Sequence, residues 1–142
     1  MAYLIDTNVV SELRKGDRAD ANVASWFASL DDEEIFLSVL TLGEIRKGIE
    51  SIRRRDPKAA ESLQTWLGRV AAAHRDRVLP VDHLIAEEWG RMNVPDPLPV
   101  IDGLLAATAK VTGLTLATRN TDDIARAGVS FVDPFSAPAA KE

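Results

Sequence analysis

The sequence predicts one α/β domain with a central parallel sheet flanked by helices. Short β-type apolar runs alternate with helical patterns along the whole chain, which is the mark of parallel strands joined by helical crossovers. Two long adjacent helical patterns in the middle predict a helical hairpin within that frame. Neither a shift in composition nor an internal repeat divides the 142 residues. A chain of this length with 46% hydrophobic residues buries roughly two thirds of its unfolded surface and needs no covalent staples.

The elements follow in order. Tyr3-Leu4-Ile5 is a strand ended by Asp6-Thr7-Asn8, residues that leave a strand and cap a helix expected over Val9 to Arg14. Ala21 to Leu30 carries Val23, Trp26, Phe27 and Leu30 at helical spacing. Ile35-Phe36-Leu37 reads as the next strand, and Thr41-Leu42-Gly43-Glu44 fits a Thr-x-x-Glu capping box that opens a helix through Ile45, Ile49 and Ile52. Asp56-Pro57 ends that helix and begins another, whose Ala60, Leu63, Leu67 and Val70 form one apolar stripe.

Val78 to Val81 is a short strand, followed by a helix from Asp82 to about Met92 and a loop containing Pro95, Pro97 and Pro99. Ile101 to Val111 is helical, with Gly113 placed to terminate it. Leu114 to Thr118 is a strand, Asp122 to Ala127 a short helix ended by Gly128, and Val129 to Val132 the last strand. Residues 1–135 are expected to form the domain and Ser136 to Glu142 a flexible C-terminal tail.

Composition narrows the chemistry. The chain has no cysteine and two histidines, His74 and His83, which lack the i, i+4 partner of a helical zinc site. Any metal must therefore be held mainly by carboxylates. No apolar run approaches the roughly 18 residues needed to span a bilayer, and an acid at position 6 interrupts any signal-like start, so a soluble cytoplasmic protein is expected. The net charge of −5 gives no overall basic footprint for nucleic acid. Basic residues nonetheless gather at Arg14-Lys15, Arg46-Lys47, Arg53-Arg54-Arg55 and around Arg75 and Arg77.

In open α/β sheets, sites form beyond the carboxyl ends of the strands. Asp6 terminates the first strand, Glu44 lies early in the helix after the second, Asp102 opens the helix after the Pro-rich loop, and Asp123 follows Thr118. Each has a bland explanation, since acids near helix N-termini complement the helix dipole; for Glu44 the capping box serves as well. If their strands are neighbours, the four acids share a small volume and repel one another unless a cation intervenes. Ligation by oxygen alone selects Mg²⁺ or Mn²⁺, and such an ion suits phosphodiester hydrolysis by an activated water. No Ser-His-Asp arrangement, P-loop or dinucleotide fingerprint competes for the role. Trp26, Trp66 and Trp89 sit at core-like helical positions and are expected to pack rather than stack on bases.

Four segments resemble the PIN domain, most closely the VapC and FitB-like toxins of bacterial type II toxin–antitoxin pairs. They are Asp6-Thr7-Asn8-Val9-Val10-Ser11-Glu12, Thr41-Leu42-Gly43-Glu44-Ile45, Val100 to Ala109 around Asp102, and Leu116-Ala117-Thr118-Arg119-Asn120 followed by Asp123. The resemblance spans residues 2 to 134 with the segments in order. It implies a PIN-like fold, an endoribonuclease dependent on Mg²⁺ or Mn²⁺, an RNA substrate, a homodimer, and a cognate antitoxin that blocks the site. It also implies that Asp6, Glu44, Asp102 and Asp123 hold the metal and perform the catalysis, with Asp122 as a rival for the last position. Thr7, Asn8, Thr118 and Asn120 then become residues of the site's hydrogen bonding. Arg14, Arg46 and Lys47 are candidate contacts for RNA phosphates or for acidic groups of the antitoxin.

Three alternatives use the same residues differently: a solitary RNA-processing nuclease, a phosphoacceptor receiver-like signalling module, and a binding module of the same fold without catalysis. The receiver class pairs an acidic doublet with a lysine. Here Thr7-Asn8 follows Asp6, and Arg119 follows Thr118.

Overall fold

The computed structural model describes residues 1–136. Beyond Ser136, the expected tail lies outside the described residues. Five strands form one parallel sheet: β1 (Tyr3–Ile5), β2 (Ile35–Ser38), β3 (Val78–Leu79), β4 (Thr115–Ala117) and β5 (Phe131–Val132), in the order β3-β2-β1-β4-β5. Among the described residues seven α-helices surround it: α1 (Thr7–Leu13), α2 (Ala21–Ala28), α3 (Val39–Arg53), α4 (Pro57–Ala73), α5 (His83–Met92), α6 (Val100–Thr112) and α7 (Thr121–Ala125). The chain builds outward from β1 in both directions, Tyr3 pairing with Ile35 on one side and Thr115 on the other. That order places a topological switch at the end of β1.

Strand alternation divides the interior into two cores, one on each face of the sheet. Ile5, Ile35, Leu37 and Ala117 face a core with Val9, Val10, Val23, Ile45, Ile49, Ala60 and Leu67. Leu4 and Leu116 face the other, with Leu105, Ala106, Ala109 and Ile124. The helical hairpin is α3 and α4, bridged on its outer side by Arg53, which donates to Glu50, Glu61 and Gln64. Trp26 packs edge-on to Tyr3 with ring centroids 5.1 Å apart, and Trp66 lies against the same core. Trp89 closes on the backbone of Gly103, where an added Cβ would meet its ring at 3.2 Å. All three tryptophans pack, as their spacing predicts.

The element order matches expectation, and several ends move. Helix α1 starts at Thr7 rather than Val9, because the Asp6 carboxylate already accepts from the Thr7 N–H at 2.6 Å and caps the helix. The capping box expected at Thr41 does not form. Helix α3 begins a turn earlier at Val39, with the Ser38 hydroxyl accepting from the Leu40 N–H at 3.0 Å; the strand's last residue had supplied the cap. Thr41 is instead buried inside the helix, its hydroxyl without a partner among the described residues. Strands β3, β4 and β5 are shorter than the apolar runs that announce them, because the run continues into turns. Gly113, at φ 73°, ends α6 in the left-handed conformation that its lack of a Cβ permits.

Candidate active site

The site is assembled from the centre of the sheet outward. Asp6 leaves β1 with its backbone still in the ladder, its N–H donating to Ala117 O at 2.9 Å, and its side chain is buried. One carboxylate oxygen accepts from the Thr7 N–H; the other accepts from the Thr118 hydroxyl at 2.7 Å and from Asn8 Nδ2 at 3.3 Å. Thr118 extends β4, the immediate neighbour, and is fully buried. Thr7, on the first turn of α1, donates its hydroxyl to Glu44 Oε1 at 2.5 Å. With Ser38 capping α3, Glu44 is released from any capping duty and turns to α1 instead.

The second half of the site lies on the other side of β1. Asp102 occupies the first turn of α6 and Asp123 the first turn of α7. Asn120 stands between them, one Nδ2 donating to Asp102 Oδ2 at 2.5 Å and to Asp123 Oδ2 at 3.2 Å. Its backbone N–H is held by the Thr118 hydroxyl at 3.0 Å, which links this half to Asp6. Asp122 points away and is exposed, so Asp123 is the acid that the structure directs inward.

Burial pushes the Asp6 carboxyl above the ordinary aspartate range, against the pull of the Thr118 and Thr7 donors, and the charges of Asp102 and Glu44 push it further. Asp102 is raised for the same leading reason, opposed by Asn120 and reinforced by Asp123 and Glu44. Asp6, Glu44 and Asp102 thus act on one another's charge, and Asp123 acts on Asp102. The donor set fits a hard divalent cation: it is all oxygen, it concentrates negative charge, and neither Glu44 Oε2 nor Asp102 Oδ1 has a hydrogen-bond partner among the described residues. As the side chains stand, no three such groups among the described residues close around a single point.

Some expected contributors stay outside. Arg46 is exposed and bonded to Glu50 and Gln64, because two residues after Glu44 place it on the opposite side of α3. Lys47 is likewise exposed. His74 turns its ring to Val70 O at 3.0 Å and His83 is exposed, so neither joins the acids. Sequence reading missed Arg126, whose guanidinium meets Asp123 Oδ1 at 3.1 Å; its i, i+3 spacing from Asp123 was the available signal.

The PIN domain family model matches residues 3–129 of this chain. The chain belongs to the PIN domain family. It is 31% identical over 139 residues to Toxin FitB of Neisseria gonorrhoeae, covering 93% of this chain and 97% of that protein. It is equally 31% identical over 138 residues to the VapC ribonuclease Y4jK of Sinorhizobium fredii, covering 93% and 96%. A solved structure of FitAB bound to a DNA fragment superposes with a TM-score of 0.87 at 28% identity, covering 98% of this chain and 99% of that one. The FitAcB structure from Neisseria gonorrhoeae gives 0.86 at 30% identity, covering 94% and 98%. The receiver-like alternative falls with this assignment. Among the described residues no helix is long and apolar enough to cross a membrane.

Proposed function

We propose that this chain is the ribonuclease toxin of a toxin–antitoxin pair, hydrolysing RNA phosphodiester bonds with Mg²⁺ or Mn²⁺. The observation that carries the reading is the linked set of hydrogen bonds through Thr7, Thr118 and Asn120 that holds Asp6, Glu44, Asp102 and Asp123 around the end of the central strand. Proteins can hold such repelling charges economically when a cation is to neutralise them. Relatives named as a toxin and as a ribonuclease, and neighbours solved as FitAB assemblies, support the same reading and an antitoxin as partner.

Asp6, Glu44, Asp102 and Asp123 would hold the ion. When bound, it would supply activation of the attacking water and neutralisation of charge developing on the phosphate. Thr118 and Asn8 fix the Asp6 carboxylate so that it presents one orientation. Thr7 sets Glu44, and the Asn120 amide ties Asp102 to Asp123. Water excluded from the buried side of Asp6 strengthens each of these contacts.

The test is cleavage of single-stranded RNA with Mn²⁺, with and without chelator, by the wild type and by Asp6→Asn and Asp102→Asn. Wild type should cut only with metal, and its melting temperature should rise on adding Mn²⁺. Both variants should keep the wild-type circular dichroism while losing cleavage and most of the Mn²⁺-induced shift. Wild-type cleavage rates in either variant would overturn the assignment. Co-expression with the product of an adjacent reading frame should yield a complex in which cleavage is blocked.

A further inference from the structure

Helices α1 to α5 each begin on a side chain that accepts from one of the helix's own first backbone N–H groups: Asp6, Asp20, Ser38, Asp56 and Asp82. Such caps fix where a helix starts. Helices α6 and α7, which carry Asp102 and Asp123, have none. The N-cap of α6 is Pro99, whose ring has no oxygen to offer. Something else must therefore set the first turn of α6, in which Asp102 sits.

The neighbouring helix α5 supplies it. Gly103, buried and next to Asp102, is the one glycine at which a side chain would meet other atoms. A Cβ there would lie 3.2 Å from both Cδ1 and Nε1 of Trp89 and 3.5 Å from Leu98 Cβ, whereas the other glycines have nothing within 4 Å. The indole edge thus rests on the bare backbone of α6. Trp89 Nε1 is buried without a partner among the described residues, a penalty that an aliphatic side chain would avoid, so apolar packing alone does not account for an indole here. One turn on, Asn93 donates to Trp89 O at 2.7 Å and accepts from the Leu98 N–H at 2.9 Å, tying the residue before Pro99 to the end of α5. Ring and amide together hold α6 at its uncapped end.

We infer that Trp89, Asn93 and Gly103 are positioning residues for Asp102. The missing side chain of Gly103 lets the first turn of α6 sit against the indole, at the depth where Asp102 meets the Asn120 amide. This deepens the nuclease reading and rests on it, since there Asp102 helps to hold the ion. An added methyl group at Gly103 forces a movement of a few tenths of an ångström, which is the margin that separates good from poor metal–oxygen distances.

Mn²⁺ affinity without RNA, read on the full chain from the electron paramagnetic resonance signal of the free ion, tests the assignment beside the melting temperature in chelator. Gly103→Ala should weaken Mn²⁺ binding roughly tenfold. Gly68→Ala, the same change in the interior of α4 with open space around it, should leave affinity unchanged and raise the melting temperature by a few degrees. Trp89→Leu alone should weaken binding several-fold for want of the wall. In that background the alanine methyl has room, so the double variant should bind Mn²⁺ no worse than Trp89→Leu does. Asn93→Ser, which leaves the indole in place, should lower affinity several-fold and serves if Gly103→Ala does not fold. Wild-type affinity in Gly103→Ala or Asn93→Ser, or affinities that merely follow melting temperature across the set, would overturn the positioning role and leave the nuclease reading standing. If wild type neither binds Mn²⁺ nor cuts RNA, both fall.

Discussion

The two halves of the site are built on different principles. On the β1 side, Asp6 is buried, continues the sheet's backbone ladder and accepts three side-chain or backbone donors besides. On the α6–α7 side, Asp102 and Asp123 are half-exposed, ride on separate helices and share the amide of Asn120, with Arg126 as a further partner of Asp123. The first half is fixed by the same bonds that fix the fold. The second is held by side-chain contacts between separate helices rather than by the sheet.

The largest break in this contrast is Asn120→Ala. Removing the amide frees Asp102 and Asp123 to separate, and cleavage should fall by up to about 100-fold, as for other residues that orient ligands. Its melting temperature should change little, since Asn120 is half-exposed. Equal loss of stability and activity would show that the α6–α7 half is as integral to the fold as the other. Thr118→Val tests the rigid half. A buried carboxylate oxygen left with one weak donor costs about 2 kcal/mol, which for a chain of this size lowers the melting temperature by roughly 8 °C. A smaller drop than at Asn120 would invert the contrast.

The subtlest effect is in pH. The Asp6 carboxyl is raised in the folded chain, so folding favours its protonated form. Its contribution to stability is complete below the unfolded aspartate value and is lost as pH rises through the higher folded value. Measured in chelator, wild type should therefore lose melting temperature relative to Asp6→Asn across that window. Mn²⁺ should reverse the difference. Parallel curves for the two proteins would show that Asp6 ionises without penalty.

Legibility differed between the halves as well. The element order, the parallel sheet and the hairpin were all visible in hydrophobic periodicity, because apolar spacing responds directly to which face is buried. Asp6 and Asp102 were visible because each follows a recognisable turn or strand end. The Thr41 capping box was misread, since the motif is local and could not show that Ser38 would cap the helix first. Arg46 is near Glu44 in sequence but turned away around the helix, where it bonds to Glu50 and Gln64. Asp123 was preferred to Asp122 from its spacing after Asn120, and in the structure its carboxylate accepts from the Asn120 amide.

The seat of Asp6 also constrains how such a sequence can change by descent. Its amide belongs to the β1–β4 ladder, so a lineage cannot drift away from the backbone position of this acid without dismantling the central strand pair. Activity can be silenced by exchanging one side chain and restored by the reverse exchange, with the scaffold intact in between. A descendant in which Asp6 has become Asn is therefore one nucleotide change away from recovering the carboxylate at this position.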